Sequence, residues 1–78
     1  RLIGATKGRV MPGIPNNLRS FIERGSVLTV IPAGATFAIT GGPVCGPTNN
    51  LTWWQVTYNG TVGWTAEGQG GAYWIEPQ

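Results

Sequence analysis

Leu-Thr-Trp-Trp-Gln-Val-Thr-Tyr-Asn-Gly-Thr-Val-Gly-Trp-Thr-Ala-Glu, residues 51–67, is the stretch whose reading decides the fold. Two runs rich in aromatic and β-branched residues flank Asn59-Gly60, a pair that supplies the two positive-φ positions of a type I′ turn between antiparallel strands. A two-residue loop at Asn59-Gly60 sets Tyr58 opposite Thr61, Val56 opposite Gly63 and Trp54 opposite Thr65. Trp53, Gln55, Thr57, Val62 and Trp64 then share the other face. Trp54, Val56 and Gly63 are expected to pack inward, and Trp53 and Trp64 to stand exposed.

Outward from this hairpin, the rest of the chain carries the same all-β signature. Thirteen glycines and six prolines interrupt it every few residues, which suits short strands joined by tight turns. At 78 residues it forms one domain, 1–78, with 1–7 a lead-in or edge strand around Leu2 and Ile3. A short strand through Arg9, Val10 and Met11 is expected next, then a compact loop set by Pro12-Gly13 and Pro15-Asn16-Asn17. Leu18-Arg19-Ser20 reads as a short extended piece, and residues 21–25 are ambiguous, Phe21-Ile22 before the charged pair Glu23-Arg24 admitting a single helical turn. The β-branched run 27–31, ended by Pro32, is expected to form a second hairpin with 36–40 across the turn Pro32-Ala33-Gly34. Residues 41–50 read as a loop, because three glycines and two prolines suit the centre of a sheet poorly. After Glu67, residues 68–71 form a flexible turn and 72–75 a last strand closed by Pro77. Strands so close in sequence, with no crossover helix, pair mainly antiparallel, and curling into a small barrel reduces exposed edges.

Composition removes most chemistry. The sequence contains no histidine and no aspartate, so Ser/His/Asp and Cys/His arrangements and histidine metal sites are absent. Glu23, Glu67 and Glu76 each occur in a solitary context, unlike the paired carboxylates of a glycosidase. No glycine group is followed by the lysine and helix of a nucleotide loop. The expectation is a chain that is not an enzyme, with no cofactor and no metal. The two sequons, Asn50-Leu51-Thr52 and Asn59-Gly60-Thr61, are read as turn residues.

Charged residues make up only 10% of the chain, and the net charge of +2 comes from five basic and three acidic groups. The basic residues Arg1, Lys7, Arg9, Arg19 and Arg24 form no stripe, which argues against nucleic acid as a partner. No apolar run approaches the roughly 18 residues of a membrane span, so no membrane insertion is expected. No signal peptide is visible, and the start at Arg1 suits a processed chain or a domain cut from a longer one. Cys45 has no intramolecular partner; it reads as a small apolar loop residue or as a disulfide to another chain.

What remains is aromatic surface. Trp53, Trp54, Trp64, Trp74, Tyr58 and Tyr73 fall within 22 residues, more than a barrel of this size buries. Exposed tryptophan and tyrosine among uncharged polar neighbours stack on sugar rings or receive extended peptides in a shallow groove.

These residues resemble the bacterial Src-homology-3-like domains, also called bacterial SH3 domains. The likeness runs through Asn17-Leu18-Arg19-Ser20, then Ile31-Pro32-Ala33-Gly34-Ala35, Trp53-Trp54-Gln55-Val56, Tyr58-Asn59-Gly60 and Gly63-Trp64-Thr65, spanning roughly residues 8–76. It implies a small SH3-like barrel of five to seven short, mainly antiparallel strands and a noncatalytic binding role in an extracellular or cell-envelope setting. Cell-wall glycan or peptide is the implied partner, and copies of the chain itself are the alternative. Trp53 is similar to the first tryptophan of the pair that lines the peptide groove of eukaryotic relatives. The candidate ligand-binding residues are therefore Trp53, Trp64, Tyr73 and Trp74. The chain departs from the eukaryotic pattern in its single early acidic residue, Glu23, and in Thr65-Ala66-Glu67 after Trp64, and its segments at 43–50 and 68–71 are longer than in a minimal member of the family.

Overall fold

A computed structural model describes residues 2–48 and 50–78; Arg1 of the expected lead-in and Asn49 of the expected loop lie outside it. The described chain is all-β. Its strands are β1 (Lys7–Val10), β2 (Asn16–Arg19), β3 (Val27–Ile31), β4 (Thr36–Cys45), β5 (Thr52–Tyr58), β6 (Thr61–Ala66), β7 (Gly68–Gln69), β8 (Ala72–Tyr73) and β9 (Ile75–Pro77). Seven of them form one antiparallel sheet in the order β3-β2-β6-β5-β4-β1-β9, curled into a half-barrel compatible with a small SH3-like barrel. β7 and β8 form a separate two-stranded ladder.

The β5–β6 hairpin has the register that Asn-Gly dictates: Tyr58 faces Thr61, Val56 faces Gly63 and Trp54 faces Thr65. Asn59 and Gly60 take φ values of 50° and 82°, the left-handed conformations of a type I′ turn. On the concave face, Trp54 and Val56 join Leu2, Val10, Leu18, Ile31, Phe37 and Ile75 in the main core. Gly63 is required here by contact rather than by φ. A Cβ at this position would lie 2.7 Å from Arg19 O and 2.9 Å from Leu18 Cγ, so the glycine lets β2 close against β6. Leu2, in the lead-in, is fully buried and so belongs to the core.

The structure corrects three expectations and resolves the ambiguous stretch at 21–25. β3 and β4 do not form a hairpin: β3 pairs with β2, and β4 lies between β1 and β5. The Pro32–Ala35 turn is held by β1 instead, with Gly34 N donating to Val10 O and Val10 N donating to Ala35 O. Pro32 also lacks the N–H that would continue a ladder out of β3. Residues 41–45 are not loop but the second half of β4, paired with β5 through Gly41, Val44 and Cys45. Register shifts between Ile39 and Gly41 and between Gly41 and Val44 absorb the residues that fit no ladder, and Gly42 at φ 102° and Pro43 fall inside the second shift.

Residues 21–25 do not form a helical turn. Glu23 takes a left-handed φ of 57°, and Gly25 N closes a tight turn onto Ile22 O. The last strand, in turn, is split at Trp74. Its N–H donates to Glu67 O and its carbonyl accepts from Met11 N, both at 2.8 Å, which removes this residue from the ladders on either side.

Candidate functional site

The second face of the hairpin is the origin of the site. Trp53 was expected to be exposed there, yet it is only 4% exposed, as little as Trp54. The face assignment is right and the exposure is not. Ile22 from the turn after β2 and Ala66, directly opposite Trp53 on β6, form a small second cluster with it, flanked by Leu51, Trp64 and Trp74. A sheet that is covered on both faces at one end buries residues of both parities there.

Around this cluster runs a groove of about 520 Å³, within the range of sites that hold small ligands or short segments. Trp53, Ala66 and Leu51 line it from the hairpin side. Trp74 lines it too, its peptide clamped as described above. The segment at 11–15 contributes Met11, Pro12, Ile14 and Pro15, and Ile14 is 78% exposed. Gly13 turns that segment with φ 115°, a conformation in which a side chain would be strained. The hydrogen bond from Met11 N to Trp74 O joins the two contributing segments directly.

Polar groups enter from one strand and one turn. Asn16, Asn17 and Arg19 of β2 and Glu23 line the groove. Arg19 Nη1 donates to Gly25 O at 3.0 Å, and Glu23 Oε2 accepts from Thr48 N at 2.8 Å, so both charged side chains are positioned by backbone groups. Asn16 is buried, and its Nδ2 donates to Thr65 Oγ1 at 2.6 Å and to Ala66 O at 3.0 Å. Thr65 Oγ1 in turn donates to Asn17 O at 3.0 Å. Among the described residues, Trp53 Nε1 is a buried donor with no hydrogen-bond partner. It lies beside Gly46 and the Glu23 carboxylate: a Cβ at Gly46 would be 3.0 Å from Nε1 and 2.8 Å from Glu23 Oε2.

The four candidate residues are thus divided. Trp53 and Trp74 meet in the groove. Trp64 is half-buried and packs edge-on against Phe21, with ring centroids 5.9 Å apart and planes at 78°. Tyr73 borders a second hollow of about 310 Å³ with Asn50, Leu51, Thr52, Glu67 and the 68–72 hairpin. The groove-lining parts of 11–15 and 16–23 were not anticipated as site residues. Pro12-Gly13 and Pro15 signalled a compact loop, but no spacing in the chain says which face of the sheet that loop covers.

The three carboxylates serve local roles. Glu23 accepts from Thr48 N, Glu67 Oε1 accepts from the buried Trp54 Nε1 at 3.0 Å, and Glu76 pairs with Arg9 across β1 and β9. Cys45 is exposed at the end of β4. No helix among the described residues is long and apolar enough to cross a membrane. In comparison with known proteins, the chain matches no family model, no curated protein and no solved structure.

Proposed function

We propose that this chain is a noncatalytic binding module of the bacterial SH3 type, which engages cell-wall glycan or peptide outside the cell or in the envelope. The observation that carries this reading is the groove in which Trp53 and Trp74 lie with the 11–15 segment, bordered by Asn17, Arg19 and Glu23. Flat aromatic and proline surfaces receive sugar rings or extended peptides at little entropic cost, while a few fixed polar groups orient the ligand. The absence of histidine and aspartate from the sequence, and the structural engagement of each glutamate, support a role in binding rather than turnover. Trp64 and Tyr73 lie outside this groove and have no part in the proposal.

Retention on purified peptidoglycan tests it. Trp74→Ala and Ile14→Ser change half-buried and exposed groove positions and are expected to lower retention by about tenfold, the equivalent of about 1.4 kcal/mol of lost contact. Trp64→Ala is expected to bind as the unmodified chain does. Unchanged retention in both groove variants would remove the proposal.

A further inference from the structure

Resting on the groove reading above, we propose that the ligand is the glycan of the wall rather than its peptide, and that it is held as a chain crossing from the groove into the second hollow. Leu51 lines both hollows and is their common wall. Trp74 lines the groove, and Tyr73, the residue before it, lines the second hollow, so consecutive aromatic residues serve the two sides of that wall. Trp74 is half-buried and Tyr73 is exposed.

Backbone contacts fix this arrangement. Leu51 O accepts from Gly46 N and Thr52 O accepts from Glu67 N, both at 2.8 Å, while Trp74 N donates to Glu67 O. Tyr73 is carried by the β7–β8 hairpin, in which Gly70 and Gly71, with φ values of 57° and 84°, make the two-residue turn between Gln69 and Ala72. Gly68 stands opposite Tyr73, and a Cβ there would lie 2.0 Å from Ala72 O and 2.9 Å from Tyr73 Cα, so this ladder closes only over a glycine. Residues 68–71 therefore act as a mount for Tyr73 and not as a slack connection.

The chemistry of the second hollow selects sugar. Asn50, Thr52 and Gln69 line it, and their amides and hydroxyl both donate and accept, as the hydroxyl groups of a sugar ring require. The charged side chain among its described lining residues, Glu67, is buried and accepts from Trp54 Nε1, so recognition there falls to neutral groups and to the face of Tyr73. At about 310 Å³ the hollow has the size of a small site, suited to one end of a chain whose remainder lies in the groove. A chain that reaches both hollows gains the second contact without a second loss of translational freedom, so affinity rises with chain length.

Titration calorimetry with soluble oligomers of N-acetylglucosamine, neutral sugar chains without peptide, tests the proposal beside a wall tetrapeptide that carries no sugar. The hexasaccharide is expected to bind the unmodified chain about tenfold more tightly than the disaccharide, and the tetrapeptide about tenfold more weakly than the hexasaccharide. Tyr73→Ser and, separately, Gln69→Ala change exposed positions and should bring the hexasaccharide to the affinity of the disaccharide, with the disaccharide itself unaffected. Tyr73→Phe keeps the ring and should behave as the unmodified chain does, and Trp74→Ala should weaken both sugars. Equal affinity for disaccharide and hexasaccharide, with both dependent on Trp74, would overturn the crossing and leave the groove reading standing. Binding of the tetrapeptide alone would overturn the choice of glycan and again leave the groove. Failure of every probe to bind would overturn this proposal, and retention on whole peptidoglycan then decides the groove reading separately.

Discussion

Asn16 performs, with one side chain, a task the backbone leaves undone. β2 and β6 share a single Cα pair, Arg19 with Trp64, and beyond it the two strands are bridged by Asn16 Nδ2 to Thr65 Oγ1 and Ala66 O. Thr65 is fully buried, so Asn16→Ala leaves Ala66 O and the Thr65 hydroxyl short of a donor in the interior. A loss of about 1–3 kcal/mol in urea unfolding is expected, the usual cost of an unsatisfied buried group. Glu67 has a comparable role toward Trp54 Nε1, and Glu67→Ala is expected to destabilise by a similar amount in the same assay. Trp53 needs a gentler change than alanine. Removing a buried tryptophan costs about 3–5 kcal/mol, which would confound any loss of binding with loss of the fold. Trp53→Phe keeps the packing against Ile22 and Ala66 while removing the unpartnered indole N–H.

At the scale of elements, the β5–β6 hairpin was the most legible part of the chain, because its register is a local consequence of two residues. Asn59-Gly60 determined which side chains oppose one another, and six cross-strand pairs follow from it. Gly60→Val should lower stability by about 1–2 kcal/mol in thermal or urea unfolding, the cost of forcing a Cβ into the left-handed region. Asn59→Gly should be close to neutral, since glycine takes that conformation freely. The partner of β3 was not legible. Neighbouring strands in sequence usually pair, but here the Pro32–Ala35 turn is fastened to β1 and sends the chain across the half-barrel. Nor was the extension of β4 through Cys45, because glycine and proline content alone does not distinguish a loop from a strand interrupted by bulges. The same pairing of β3 with β2 leaves β3 as the edge of the sheet.

For the whole molecule, the all-β class, the antiparallel pairing and the small curled sheet followed from composition and turn chemistry. The candidate site followed only in part. Period-two alternation correctly separated Trp54 from Trp53, but alternation assigns a face and not an exposure. Whether a face is covered depends on segments far away in the chain, here Ile22 and the 11–15 segment, whose destination no local pattern encodes. The result is that Trp53 and Trp74, far apart in the sequence, line one groove, while Trp64 and Tyr73 stand elsewhere. The four tryptophan indoles make this division directly observable. An amide and indole N–H correlation spectrum, titrated with soluble glycopeptide fragments of bacterial cell wall, should show saturable shifts of the Trp53 and Trp74 indoles and of the Ile14 and Asn17 amides, with the Trp64 indole unmoved. A spectrum that stays unchanged at saturating fragment concentration, or shifts confined to the surroundings of Trp64 and Tyr73, would contradict binding in the groove.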